Sequence, residues 1–315
     1  MDKSDQALIM AVKAKREAAG LSLRALSNEV GVSFSTLARI ERGDGSPDNN
    51  SKIRLIEWLG PDAEAAGLAL EHVALVHFRA MKNVQSGTVQ ALLRAAICLR
   101  REHSSNDDGD PDAAAGGLAD ADPHAETPKD QLEDIAERFR SDLGLKDGQP
   151  LDSLRIRVEG IYVAQLTQTG CLDARTLRRL RDEACSEWSA MSVPLNADAG
   201  RWVVLLNDCH TPERQRVTLL EEYWHILMGH RLTKVARVAE AYGRTYDRTE
   251  EHDAYYLASA SLLPKGAVQE AVRQGRSSRQ IAAHFGTSPE LVDYRIKRLG
   301  LWREHLGRAV VLSTD

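Results

Sequence analysis

Residues 104–129 divide the chain and so limit what it can fold into. They begin Ser104-Ser105-Asn106-Asp107-Asp108-Gly109-Asp110-Pro111, continue through Ala, Gly and Asp repeats, and end at Thr127-Pro128. A stretch with so little to bury, clustered acidic charge and backbone breakers costs more conformational entropy to order than its packing returns. It reads as an acidic flexible linker, with its role as a tether between independent halves left open. A length of 315 residues suits that division, because domains of about 150 residues are typical. With 43% hydrophobic residues both halves can build a core, while 5% aromatics and no evenly spaced turns disfavour a sandwich or barrel. The expected fold class is mainly α, with an α+β second half.

The net charge of −5 is that of an ordinary soluble protein. No run approaches the roughly 18–20 apolar residues of a bilayer-crossing helix. Met1-Asp2-Lys3-Ser4-Asp5 also lacks the basic-then-apolar order of a secretory signal, so a cytoplasmic location without membrane association is expected. Cys98, Cys171, Cys185 and Cys209 lie far apart with no C-x-x-C pair, which indicates neither a disulfide framework nor a four-thiolate zinc site.

Residues 10–59 have the rhythm of a five-helix module, assigned to 1–64. Ala11–Ala18 form an amphipathic helix stopped by Gly20, and Ser22 caps a second helix whose inward residues are Leu23, Leu26 and Val30. Gly31 supplies a tight turn. Ser33 then caps a third helix, Phe34–Ile40, with Leu37 and Ile40 inward and Ser35, Thr36, Ala38 and Arg39 outward. That outward face is small, polar and partly basic, as a helix entering a groove about 12 Å wide requires.

The run Leu26-Ser27-Asn28-Glu29-Val30-Gly31-Val32-Ser33, then Thr36-Leu37-Ala38-Arg39-Ile40-Glu41-Arg42-Gly43 and Pro47, resembles the Cro and lambda-repressor (XRE) type of helix-turn-helix. The resemblance implies binding to a double-stranded DNA operator, with Ser33, Ser35, Thr36, Arg39 and Arg42 as the contacting set. A homodimer is expected, since one such module reads a half-site. Leu23 stands where the family places a phosphate-contacting Gln. Residues 1–60 are close to neutral, so the sequence-independent phosphate attraction is modest. The alternative for this module is a helical hairpin used for protein contacts.

Between module and linker, residues 65–103 read as a helical extension on the spacing of Leu68, Leu70, Val73, Leu75, Val76 and Phe78, then Val89, Leu92, Leu93, Ala96, Ile97 and Leu99. It extends the first module or makes a dimer contact. Beyond the linker, helices are expected over 130–145, 212–230 and 249–262, and short strands over 160–164 and 202–206.

In the helix over 212–230, Glu221 and His225 are four apart and share a face, with Glu222 beside them. Two ligands at that spacing plus an adjacent carboxylate is the arrangement of a zinc hydrolase, in which two side chains grip the ion and the neighbour takes a proton from bound water. The stretch from Arg214-x-Arg216-x-Thr218-Leu219, through this E-x-x-H helix with Gly229-His230, to the helix of Glu250-Glu251-His252-Asp253-Ala254 closing on Leu262-Leu263-Pro264 resembles the ImmA/IrrE family of metallopeptidase-like domains. It is assigned to 130–264. The resemblance implies Glu221, His225 and Glu251 as metal ligands, Glu222 as general base and zinc as cofactor.

Three departures stand out: Glu221 replaces the first His of H-E-x-x-H, Trp224 replaces a small Gly, and Tyr255 replaces an acidic residue. Two carboxylates and one imidazole cancel a divalent charge, which weakens its pull on a bound water. Efficient peptide hydrolysis is therefore disfavoured, while zinc or a harder ion such as manganese can still be held. His210 and His230 are further ligand candidates, each more ordinarily a surface or hydrogen-bonded residue.

Residues 265–308 form a basic tail with nine Lys and Arg against four Asp and Glu, in a second helix-turn-helix shape with Ser278 and Ser288 as caps and Gly286 at the turn. It packs on the peptidase-like core or touches DNA. The leading reading is a DNA-binding transcriptional regulator whose ImmA/IrrE-like half senses or docks a ligand, metal or partner. A zinc-dependent metallopeptidase that cleaves a repressor is the rival, and an immunity or antitoxin protein-binding component is a third.

Overall fold

The computed structural model describes residues 3–59, 62, 71–80, 84–103, 127–196, 200–230, 233–238, 241–244 and 248–307. The linker over 104–129 lies outside them except for its last three residues, and so does most of the segment that would hold a fifth helix of the first module.

The first module has helices α1 (Lys3–Ala18), α2 (Leu23–Val30), α3 (Phe34–Glu41) and α4 (Asn49–Leu59). The Ser22 side chain accepts from the backbone of Ala25, and Ser33 accepts from Thr36, so both paired helices start on the caps read from sequence. Gly31 ends α2 at φ 66°, a left-handed conformation that a side chain would strain. Leu8, Val12, Leu26, Val30, Leu37, Ile40 and Leu55 form the core. Arg16 binds Glu41 through two hydrogen bonds of 2.7 and 2.9 Å, which lock α1 to the end of α3.

The second unit is built on a six-stranded sheet in the order β2-β4-β3-β1-β5-β6, and since β1 comes before residue 104 the stretch 104–129 falls within this unit rather than between two halves. Its strands are β1 (Glu71–Ala80), β2 (Ile161–Gln165), β3 (Trp188–Asn196), β4 (Arg201–Leu206), β5 (Thr233–Val238) and β6 (Ala241–Arg244). β2 runs parallel to β4 and the other pairs are antiparallel. Along β4, Trp202, Val204 and Leu206 enter one core while Val203 and Leu205 enter another. With both faces covered, the strand reads as an unbroken apolar run.

One face is covered by α5 (Ser86–His103), whose Val89, Leu92, Leu93, Ala96 and Leu99 pack with Leu166, Leu180, Val203 and Leu205. The other carries α6 (Lys129–Asp142), α8 (Pro212–Leu227) and α9 (Arg248–Leu262). The short α7 (Ala174–Arg178) lies before β3.

Two expectations are corrected. Residues 71–80 are a strand rather than part of a helical extension: an apolar run this short fits either period, and pairing with β3 and β5 decides it. α5 spends its apolar face on the sheet, with Ile97 left 58% exposed. The expectation of no disulfide fails as well, because Cys98 on α5 is bonded to Cys171, with Cα atoms 5.9 Å apart across 73 residues of chain. Sequence spacing carries no signal for such a pair.

The tail forms α10 (Lys265–Arg273), α11 (Ser278–Phe285), α12 (Pro289–Arg298) and α13 (Trp302–Leu306). Ser277, one residue before the expected Ser278, caps α11 in a capping box with Gln280, and Ser288 caps α12. Of the two readings for this tail, the structure shows packing on the core. Fully buried Arg295 binds both carboxylate oxygens of Glu133 on α6 at 2.5 Å and the Leu263 carbonyl at 2.9 Å, and Tyr256 on α9 donates to Glu133 at 2.6 Å. Burial raises the Glu133 carboxyl, but the hydrogen bonds and charge of Arg295 outweigh it and hold the group below its ordinary value. Burial and the bond to Glu133 push the Tyr256 phenol up to about 12.

Arg295→Met is expected to destabilise the second half by about 3–5 kcal/mol, since it strands a buried carboxylate, and adding Glu133→Leu is expected to recover most of the loss. A depressed carboxyl stabilises the fold above its unfolded value of 4.5 and loses that contribution as pH falls through the folded value. Denaturant melts between pH 7 and 3 are therefore expected to fall more steeply for the natural chain than for the double variant.

Candidate metal centre and recognition helix

Burial of one helix between the sheet and α9 assembles the centre. Glu221, Glu222 and His225 on α8 are 3%, 1% and 5% exposed. Successive helical residues diverge by about 100°, so Glu221 and His225 share one face and Glu222 points elsewhere. Glu251, half-buried in the first turn of α9, completes a group in which Glu221, His225 and Glu251 each present a ligand atom within 4.8 Å of the others. Glu222 faces β3, where the Ser192 hydroxyl donates to its Oε2 at 2.5 Å.

The start of α8 is clamped. Arg214 donates to Ser189 at 2.8 Å, while Arg216 donates to Asp152 at 3.1 Å and to the Gly286 carbonyl of the tail at 3.0 Å. Ser153 donates to the Arg216 carbonyl at 2.7 Å. At the other end Gly229, at φ 65°, reverses the chain so that His230 returns over the last turn. The Nδ1 atoms of His230 and His225 are 3.0 Å apart, so one ring donates and the other accepts. Tyr223, on the same helix, is buried and donates to the Ile156 carbonyl at 3.3 Å, and burial raises its phenol.

The donor set fits a divalent cation. Two carboxylate oxygens and one imidazole nitrogen are all zinc-ligand types, and three such side chains leave a fourth position of a tetrahedral ion open. Two carboxylates with one imidazole suit zinc and, more than a two-imidazole site would, harder ions.

Of the four residues expected here, Glu221, His225 and Glu251 gather into one group, while Glu222 lies on the same helix but turns to Ser192. Sequence reasoning missed Ser192, a small hydroxyl inside an apolar strand that carries no pattern. It offered His230 as a further ligand candidate, whereas the structure sets that ring against His225, and it gave the two arginines no role beyond the resemblance.

On the first module, Ser33 and Ser35 are exposed, and Ser33 Oγ lies 3.0 Å from Ser35 Oγ and 2.8 Å from Thr36 Oγ1. Arg39, half-buried, donates to the carbonyls of Asp44 and Ser46 at 3.4 and 3.3 Å. Arg42 is exposed and pairs with Asp44 at 3.1 Å. Leu23, at the position of the family's Gln, packs on the core and offers no phosphate contact.

Comparison with known families finds two matches. Residues 186–297 match the model of the IrrE N-terminal-like domain, and residues 12–51 match that of the helix-turn-helix. Both resemblances read from sequence are thereby found, the first spanning Glu221, Glu222, His225 and Glu251, the second α2 and α3. No curated protein and no solved structure gives a significant match to the chain.

Zinc or manganese titrated into chelator-treated protein is expected to bind at one equivalent by calorimetry. His225→Ala and Glu251→Gln should each weaken that binding by about tenfold or more. Ser192→Ala, which touches Glu222 alone among these residues, should leave it within about twofold.

Proposed function

We propose that the chain is a transcriptional regulator that binds a double-stranded DNA operator through α3, as a homodimer in the cytoplasm. Its IrrE-like half takes a divalent cation or a partner protein as a signal. The observation that carries this reading is the pairing of an intact, capped α3 with a candidate metal centre in which Glu221 stands where the family motif has its first His. The small face of Ser33, Ser35 and Thr36 fits a major groove. Arg39 and Arg42 sit at the end of the same helix, held against the following loop from which they reach phosphate or base.

Glu221, His225 and Glu251 would hold the ion, and a bound divalent ion supplies polarisation of a water or a carbonyl. Two carboxylates offset most of that charge. Glu222, the residue placed to take a proton, is already engaged by Ser192 and almost wholly buried. Both facts favour a site that binds over one that turns over.

The gathering of three ligand donors beside Glu222 favours one rival, a metallopeptidase that cleaves a repressor. That reading expects cleavage of a partner that Glu222→Gln abolishes; the regulator reading expects Glu222→Gln to leave DNA binding unchanged.

Selection of bound sequences from random DNA should return one preferred site. Ser35→Ala and Arg39→Ala are each expected to lower discrimination between that site and random DNA by about tenfold in competition gel shifts at moderate salt. Unchanged discrimination in both would remove α3 from the interface.

A further inference from the structure

With Cys98 and Cys171 bonded to each other, two of the four cysteines remain, and the fold sets their chain segments side by side. Cys185 opens the turn before β3, and Cys209 lies in the loop between β4 and α8. Asn207 ties the two segments together, its Nδ2 donating to the Cys185 carbonyl at 3.0 Å and its Oδ1 accepting from the Cys209 N–H at 3.3 Å. Cys185 is half-buried and Cys209 exposed, so a small reagent reaches the pair from solvent.

His210 sits against them, with Nδ1 4.0 Å from the Cys185 sulfur. Its Nε2 is 2.9 Å from the Trp188 carbonyl and 3.3 Å from Asn207 Nδ2. Asn207 Nδ2 is already committed to the carbonyls of Cys185 and Trp188, both at 3.0 Å. The proton of His210 therefore rests on Nε2, donated to Trp188, which leaves Nδ1 bare and facing the Cys185 thiol. Asn207 also holds the Cys209 backbone, accepting from its N–H at 3.3 Å.

We infer that Cys185 and Cys209 form a reversible dithiol–disulfide site that reacts with hydroperoxides, with His210 accepting the Cys185 proton. His210 Nδ1 takes that proton, and the Cys185 sulfur attacks one oxygen of hydrogen peroxide. The O–O bond breaks, and hydroxide leaves with the proton as water, giving a sulfenic acid. The Cys209 sulfur then displaces the hydroxyl: an S–S bond forms, the S–O bond breaks, and the Cys209 proton leaves in a second water. Two thiols lose two electrons and one peroxide is reduced to two waters.

The order of attack follows from the surroundings. Burial, then Cys185 and Asp208, push the Cys209 thiol up, which suits a sulfur that resolves rather than initiates. Burial holds His210 below its ordinary value, so its ring is neutral near pH 7 and the bare Nδ1 set by the Trp188 contact is what faces Cys185. A cation bound at the same residues is the competing chemistry. Among the described residues, however, the group whose donors all gather within 4.8 Å is Glu221, His225 and Glu251, not this one. The inference stands independently of DNA binding. It places a redox input on the loop that leads into Pro212 and the metal-centre helix.

The test treats reduced full-length protein with hydrogen peroxide at pH 7, blocks remaining thiols by alkylation and maps the products by mass spectrometry. The expected product is a Cys185–Cys209 cross-link that dithiothreitol reverses. Cys209→Ser should stop at a Cys185 sulfenic acid trapped by dimedone, and Cys185→Ser should give neither. His210→Gln should slow oxidation at pH 7 by about tenfold or more while the chain keeps its melting temperature. The inference is overturned if both thiols stay open to alkylation, if either pairs instead with Cys98 or Cys171, or if Cys185→Ser consumes peroxide as fast as the natural chain. Stoichiometric zinc released by alkylating these two cysteines overturns it equally.

Discussion

Carrying Glu221, Glu222 and His225 into a nearly dry interface is the constraint on which the rest of the second half depends. Moving ionised groups out of water is costly, and the cost is offset only when protons, hydrogen bonds or a cation stand close by. The architecture supplies rigid geometry for that compensation. Ser192 reaches Glu222 from the sheet, His230 folds back onto His225, and α9 brings Glu251 alongside. The two ends of α8 are fixed, by Arg214 and Arg216 at the start and by the Gly229 reversal at the finish. α9 is in turn held by the buried Glu133–Arg295–Tyr256 group, so the basic tail supports the centre from behind.

Replacing an imidazole with a carboxylate changes what such a centre can do without removing its ability to bind. Each added negative ligand lowers the effective charge felt by a water or carbonyl and raises the basicity of a bound water. It also shifts preference toward hard, oxygen-loving cations. The sensing role proposed above rests on such a preference for one class of ion. The first module is unaltered where it must be: Ser22 and Ser33 cap, Gly31 turns, and Leu26, Leu37 and Ile40 fix the angle of α3.

Much of this was legible in the sequence because the signals are local. Serine caps, glycine turns and a four-residue ligand spacing involve neighbours along one helix, so pattern and chemistry coincide. The strand over 161–165 and the β4 strand were visible as short apolar runs bounded by breakers. What escaped depended on residues distant in sequence. Residues 71–80 take the strand period only because β3 and β5 flank them. The Cys98–Cys171 bond, the Ser192–Glu222 contact and the Glu133–Arg295 pair each join segments that no spacing rule connects. The role of the tail was undecided for the same reason: nine basic residues describe a DNA-facing surface and a core-packing helix equally well until Arg295 is seen to be buried.

In the proposed function the centre on α8 is the input and α3 the output. Linkage requires that a cation which alters DNA affinity have its own affinity altered by DNA to the same degree. The most direct measurement is the affinity of the full chain for its selected operator, by fluorescence anisotropy, with the centre loaded and with it stripped by chelator. The account predicts a change of about fivefold or more, abolished in His225→Ala. Equal affinity in the two states would contradict it.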